Sequence, residues 1–365
     1  MIYIHDNKLK YLLFILCLFV FSCDELDSLL GSDDDSDNVE ITCEDNYTQF
    51  FNYGNCYFND DIEVLNSFID NSLALGGLNY DLDDSNNDGE ISWNELCFQV
   101  WDNSRNKRLI KFSVFTGEVV PENNCNLAGE IPENIGNWTE LTYLDLGYHP
   151  DPDNTSGQLG GEIPQNLSNL TKLESLYLYN NLFEGAIPDI FNNMNNLKIL
   201  WLCNNNFSGE VPQSIWNLSS LETMWIEDNS LIGQISPSIS NLSSLKNIDL
   251  GRNSFSGLIP DELYNLNTLE RIYLYDNQLT GNISENISNL TNLTTINLQN
   301  NLFYGALPDE ICLLNIDYEY ESIDSIYYLG YTWKRFNVEN NNFCPEYPEC
   351  ISQDDIDSQD TSNCP

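Results

Sequence analysis

The chain has 365 residues, with Lys plus Arg 13 and Asp plus Glu 57, for a net charge of −44. That balance repels phosphate backbones and anionic membrane surfaces, which argues against nucleic acid or a bilayer as an electrostatic partner. Two histidines, His5 and His149, rule out zinc sites built on several His ligands once His5 is assigned to a leader, while eleven cysteines are ordinary for an exported chain and many for a reduced compartment.

Lys8 and Lys10 precede an apolar run over residues 11–21. The run is shorter than the ~20 residues a membrane span needs and fits the apolar region of a secretory signal, placing a signal peptide at 1–22. It ends Val20-Phe21-Ser22-Cys23. This resembles the cleavage box of bacterial lipoproteins, which implies that Cys23 becomes a lipidated first residue; ordinary cleavage near Ser22 is the alternative. Residues 24–40 read DELDSLLGSDDDSDNVE, and no Lys or Arg occurs from 11 to 104. Such a run buries too little apolar surface to fold, so residues 23–60 read as an acidic tether. It also resembles the surface-export signal of bacterial lipoproteins; a plain spacer is the other reading.

Residues 61–104 read as an N-terminal cap. An apolar helix is expected over 62–75, followed by Trp93, Cys97 and Trp101. Within the cap, residues 84–95 read DSNNDGEISWNE. This matches the EF-hand calcium loop. Asp84, Asn86 and Asp88 supply side-chain oxygens, Gly89 makes the sharp turn and Glu90 offers its carbonyl. Ser92 acts through water, and Glu95 closes the site as a bidentate ligand. Calcium is therefore the one cofactor expected, with the role of bracing the cap. An unoccupied acidic turn is the alternative.

From 105 to 315 the chain repeats. Leu173, Leu197, Leu221, Leu245, Leu269 and Leu293 stand 24 residues apart, and Gly161 to Gly305 and Asn181 to Asn301 keep the same step. The generalised unit is LxxLxLxxNxFxGxIPxxLxxLxx. Its LxL alternation is a short strand with the apolar residues inward. The Asn satisfies backbone groups as the chain leaves the strand. Gly permits a turn that costs other residues strain, and Ile-Pro starts a short helical turn. One unit cannot hide its own core, so neighbours must stack. Two spacings, Leu109 to Leu141 and Gly129 to Gly161, are 32 residues, with excess near 117–124 and 149–156. Ser236 and Ser284 replace the Pro in two units.

This pattern is that of leucine-rich repeats, and its GxIP signature resembles the plant type found in polygalacturonase-inhibiting proteins, in plant receptor-kinase ectodomains and in bacterial surface lipoproteins. The resemblance implies an α/β fold. It is a right-handed solenoid with a concave parallel β-sheet of about nine strands, roughly 40 Å long at ~4.8 Å per strand. Its convex side would carry turns or short 3-10 helices, and both ends would be capped. Residues 316–365 hold a Tyr-rich insertion, the last repeat and a Cys-rich C-terminal cap. With Cys17 in the leader and Cys23 lipidated, nine cysteines remain. Cys203, alone after a repeat strand, is expected to stay outside any disulfide. One pairing of the others is 43–56, 97–125, 312–344 and 350–364, among 105 that eight cysteines allow.

The residue between the two core positions of each strand points outward. That column reads Ser113, Asp145, Tyr177, Trp201, Trp225, Asp249, Tyr273, Asn297 and Asn337, and the next reads Phe115, Gly147, Tyr179, Cys203, Glu227, Gly251, Tyr275, Gln299 and Glu339. Tyr177, Tyr179, Trp201, Trp225, Tyr273 and Tyr275 are therefore expected as an exposed aromatic strip, flanked by Glu227, Asp228, Asp249, Arg252, Arg271 and Asp276. An exposed aromatic stripe marks a binding site. A solvated sheet whose aromatics only pack across strands is the plain alternative. The family resemblance implies a protein or peptide partner, and the acidic neighbours favour a basic one. A glycan stacked on the rings is a second candidate, and a passive surface spacer a third. No nucleophile-with-base pattern or phosphate loop suggests an enzyme. The chain reads as exported, reaching a membrane only through a lipid anchor.

Overall fold

The computed structural model describes residues 46–49, 56–74, 97–102, 106–114, 127–148, 158–316, 321–323 and 332–364. All of them fall in one compact unit, Glu44–Pro365. The signal segment, Cys23, the run 24–40, Cys43, the calcium loop with Asp84, Asn86, Asp88, Glu90, Ser92 and Glu95, Trp93, Phe115, Cys125, His149 and both loop excesses lie outside the described residues.

Each repeat contributes two short strands, and every repeat but the last adds one turn of 3-10 helix. The first strands form a sheet of nine parallel repeat strands, running Leu109–Ser113, Tyr143–Asp145, Ser175–Tyr177, Ile199–Trp201, Thr223–Trp225, Asn247–Asp249, Arg271–Tyr273, Thr295–Asn297 and Phe336–Asn337. A tenth strand, Phe98–Trp101, closes the N-terminal edge antiparallel to Leu109–Ser113. The second strands build a nine-stranded sheet from Gly129–Glu130 to Asn342–Phe343. The chain therefore has the leucine-rich-repeat solenoid fold, with its short helices opposite the first sheet.

The physical jobs of the repeat positions are visible in the contacts. Leu176, Leu178, Leu200 and Leu202 point inward and are wholly buried. Phe183 and Phe207 stack in successive repeats with centroids 6.1 Å apart, as Phe303 and Phe343 do at 6.2 Å. Burying each such side chain contributes ~1.5–3 kcal/mol, available only when the next repeat covers it. Asn205 shows the ladder. Its amide donates to the carbonyls of Leu178 (2.9 Å), Leu202 (3.1 Å) and Cys203 (3.1 Å), and its oxygen accepts from the backbone N–H of Phe183 at 3.1 Å. Gly161 sits at φ +70°, where a Cβ would also meet the Glu130 stem at 2.8 Å, which is why Gly recurs there. Where Pro is missing, Ser236 and Ser284 accept from the N–H groups of Ser238 and Asn286, each at 3.2 Å. A hydroxyl cap thus replaces the fixed φ of Pro.

Both ends are covered. The N-terminal helix spans Asn59–Ala74, close to the expected 62–75. Its Phe68 packs on Phe112 and Trp138, with centroids 5.7 and 5.8 Å away. Asp61, fully buried, pairs with Arg108 at 2.9 Å and accepts from the N–H of Leu109 at 2.9 Å. Burial still pushes the Asp61 carboxyl above its ordinary value. Within the range expected as tether, Tyr47–Gln49 and Cys56–Phe58 pair antiparallel, the latter also beside Asn106–Lys107.

At the C-terminus the insertion carries a two-stranded hairpin, Glu321–Ile323 with Thr332–Lys334. Helix Gln353–Asp357 closes the last repeat, with Asp355 accepting from the N–H of Val338 at 3.1 Å. The disulfides are Cys312–Cys350 and Cys344–Cys364, not 312–344 and 350–364. Phe343 pairs with Gly305 and the Cys344 N–H donates to the Gly305 carbonyl at 2.9 Å, while Cys312 sits on the following 3-10 helix, Asp309–Leu313, and is bridged from the cap by Cys350. Cys97 is disulfide-bonded. Cys203 is in no disulfide, as expected, and is buried although its column points outward.

Candidate functional site

Strand register places the outward column in one row. Tyr177 faces Trp201, Trp201 faces Trp225, Trp225 faces Asp249, Asp249 faces Tyr273 and Tyr273 faces Asn297. Because the strands are parallel and in step, these side chains share one face at ~4.8 Å spacing.

The rings lock together. Trp201 and Trp225 stack with centroids 4.1 Å apart and planes 21° apart. Tyr177 stands edge-on to Trp201 at 4.9 Å, and Tyr179 reaches the same indole at 5.7 Å. Tyr143 extends the run, 5.4 Å from Tyr177, with Lys111 Nζ 5.8 Å from its centroid. Tyr143 was not among the sequence candidates. It lies two residues before Asp145, in the first outward position of its strand, and that column was not read. Tyr143 to Trp225 spans four neighbouring strands, about 14 Å.

The strip is less exposed than expected. Tyr177, Tyr179, Trp201, Trp225 and Tyr273 are half-buried, and Tyr275 is only 4% exposed. Two glycines in the second outward column account for how Tyr179 and Tyr275 lie. A Cβ on Gly147 would stand 2.3 Å from the Tyr179 ring, and one on Gly251 would stand 2.4 Å from Tyr275. Each Tyr therefore lies down over the glycine of the preceding repeat instead of standing into solvent. The buried indole N–H of Trp201 has no acceptor within reach among the described residues.

The polar groups divide along the row. Asp145, 4% exposed, accepts from the N–H of Gly147 (3.0 Å), from Ser113 (3.1 Å) and from the Tyr143 hydroxyl (3.4 Å). Burial outweighs those bonds and pushes its carboxyl up to about 6. Asp249 repeats the motif, accepting from the N–H of Gly251 at 2.8 Å. Its carboxyl is pushed well above the ordinary range, first by burial and then by the adjacent carboxylate of Glu227, itself 6% exposed. Burial also raises the phenols of Tyr143, Tyr179 and Tyr275, so they stay protonated.

Asp228, Arg252 and Asp276 sit one step further along the chain in left-handed turns, at φ 54°, 48° and 52°. Arg252 lies 3.5 Å from Asp228 and 3.6 Å from Asp276, with its guanidinium 5.8 Å from the Tyr275 centroid. Arg271 is exposed and donates to Asn247 at 3.0 Å. The candidates thus come together as an aromatic half, Tyr143 to Trp225, and an acidic half, Glu227 to Asp276.

Among the described residues no cluster of three His, Cys, Asp or Glu fits a metal ion. No described helix is long and apolar enough to cross a membrane. A lateral cavity of about 760 Å³ between the N-terminal helix and the first repeats is lined by Glu130, Glu133, Glu162 and Asn134 and has no aromatic wall.

Residues 171–231 match a family model described as leucine rich repeat, and 244–266, 268–290 and 292–314 match a second leucine-rich-repeat model. No curated protein matches the chain. Solved structures do. The plant peptide hormone receptor RGFR1 in complex with RGF2 is 29% identical over 63% of this chain and 33% of its own, with a TM-score of 0.53. The Arabidopsis receptor kinase HAESA, in complex with the peptide hormone IDA and the co-receptor SERK1, is 29% identical over 60% of this chain and 33% of its own, with a TM-score of 0.52. The PEPR1–AtPEP1 complex is 26% identical over 80% of this chain and 36% of its own, with a TM-score of 0.62. The chain spans about a third of the length of these proteins.

Proposed function

We propose that this leucine-rich-repeat chain is an exported binding module that grips a peptide or an extended protein segment on the sheet face running from Tyr143 to Asp276. One observation carries the reading. The stacked Trp201–Trp225 pair shares a single register row with Tyr177 on one side and Asp249 and then Tyr273 on the other, and all four rings are half-buried. Large rigid rings are the usual anchors of an interface because little side-chain entropy is lost when they bind. Similar solved solenoids are peptide-hormone complexes, which supports a peptide as the partner class. The row holds no nucleophile paired with a base, and the reading is of a binding scaffold rather than an enzyme.

Delivery and bracing complete the proposal. Lipidation at Cys23 would tether the solenoid at the cell surface through the acidic run 24–40. Calcium held by Asp84, Asn86, Asp88, Glu90, Ser92 and Glu95 would brace the N-terminal cap. Glu95→Gln is expected to lower the melting temperature in calcium and to leave it unchanged in chelator. Equal melting of both proteins in calcium would refute the calcium assignment.

A glycan is the competing ligand for flat rings, and competition by soluble sugars separates the two. Peptide capture unaffected by sugars and lost in Trp201→Ala/Trp225→Ala supports the proposal. Displacement by sugars transfers the face to glycans.

A further inference from the structure

The second sheet divides by charge. Toward its N-terminal end, strands Gly129–Glu130, Leu182–Ala186 and Asn206–Glu210 carry Glu130, Glu184 and Glu210. The last five strands, Ser230–Gly233, Ser254–Gly257, Gln278–Gly281, Leu302–Gly305 and Asn342–Phe343, read SLIG, SFSG, QLTG, LFYG and NF, with no charged residue. The residues after the four glycines, Gln234, Leu258, Asn282 and Ala306, are exposed and uncharged as well. Soluble surfaces carry charge at about 25–35% of their positions, and this chain has a net charge of −44. The core asks only for the inward residues of these strands, such as Leu231, Phe255, Leu279 and Phe303, all wholly buried. A neutral outer strip about 24 Å across the strands is therefore not a demand of folding. Within it Leu258, Leu302 and Tyr304 are more than half exposed. Gly257 pairs with Leu279 and Thr280 with Leu302, so Leu258, Thr280 and Leu302 stand in one register row across three strands. That row reads the same from either end. Leu258 leans over Gly281, where a Cβ would meet it at 2.4 Å.

We infer that this strip is a self-association surface. A second copy of the chain packs on it face to face, about a two-fold axis running along the strand Gln278–Gly281, so that Leu258 of each copy meets Leu302 of the other. Charge selects the occupant. Two copies at −44 repel each other, and an acid inside a two-fold contact would be desolvated against another acidic copy. A face free of charge is where such copies can meet. The palindromic row supplies the self-complementarity that a two-fold contact needs. The 3-10 helices that follow the strip begin with Asp261, Glu262, Glu285 and Asp309. The same axis brings those acidic edges of the two copies side by side, so salt tightens the contact by screening them. The strip is smaller than the ~800 Å² per partner of a standard interface, which makes the association weak and concentration-dependent. The aromatic row lies on the other sheet and stays open to its own partner.

The test is sedimentation equilibrium of the purified full chain from about 1 µM to about 500 µM, in about 50 mM and about 500 mM salt. Wild type is compared with Leu258→Lys, Leu302→Asp, the double variant Leu258→Lys/Leu302→Asp, and Leu182→Asp. The last alters a Leu of comparable exposure, 50%, on an acidic strand of the same sheet. All four changes are at exposed positions, and a melting curve of each variant shows that it folds. The expected result is a monomer–dimer equilibrium that tightens with salt. Each single change in the strip should weaken it by about tenfold or more, and Leu182→Asp should leave it unchanged. The double variant should recover much of the loss, because opposite charges then meet across the axis. A monomer at every concentration, a dimer indifferent to the strip variants, an association of wild type that salt weakens, or a double variant no better than the single ones overturns the proposal. None of these outcomes bears on peptide binding, which Trp201→Ala/Trp225→Ala tests separately.

Discussion

Asp145→Asn tests whether burial on the sheet face strains the carboxylates as argued. Asp145 is almost wholly buried, and its carboxyl rises from 3.8 to about 6. Between those values the folded chain holds a proton that the unfolded chain has released, so stability falls as pH rises through the window. Above it, the shift amounts to a penalty of ~3 kcal/mol carried by the charged form. Asparagine removes the charge and can keep the geometry. Asn337, in the same column, already accepts from the N–H of Glu339 at 2.9 Å as Asp145 does from Gly147. The hydroxyls of Ser113 and Tyr143 need only turn to accept from the new amide. Thermal unfolding should therefore show the variant several degrees more stable at pH 8, with the gap closing toward zero by pH 3.5. A constant gap across that range, or a variant weaker at pH 8, would refute the burial argument.

Other substitutions probe other parts of the account. Gly251→Ala should evict the Tyr275 ring, since the new Cβ would meet it at 2.4 Å, and should cost about 1–3 kcal/mol while a neutral surface Gly→Ala does not. Asn205→Ala leaves the Phe183 N–H and three carbonyls without their partner and should lower stability by ~1–3 kcal/mol or more in a denaturant titration. Non-reducing peptide mapping should recover the Cys312–Cys350 and Cys344–Cys364 linkages; a 312–344 linkage would contradict the fold of the C-terminal cap.

The 24-residue step was enough to place the strands, the Asn ladder, the turn glycines and the outward row from Ser113 to Asn337. These depend on alternation within one strand and on neighbours being in register, and both are local properties. How a ring lies was not readable from the column that holds it. Tyr275 is buried because Gly251, a full repeat earlier, offers a bare backbone to cover. The signal was present as a Gly in one repeat followed by Tyr at the same position in the next, as in Gly147 and Tyr179. The disulfide map resisted for a related reason: pairing depends on which residues a cap folds back against, and spacing carries no record of that. Tyr143 was missed because only two of the outward columns were read.

Binding on the sheet face from Tyr143 to Tyr273 is the central claim. The direct measurement immobilises the full chain and Trp201→Ala/Trp225→Ala side by side in calcium and passes the same peptide pool over both. The double variant should fold, since each Trp is only half-buried and points outward from the sheet. The account predicts peptides retained by wild type and lost from the variant by at least about tenfold, as expected when paired aromatic anchors are removed. Equal retention on both surfaces would contradict it and take the function away from this face.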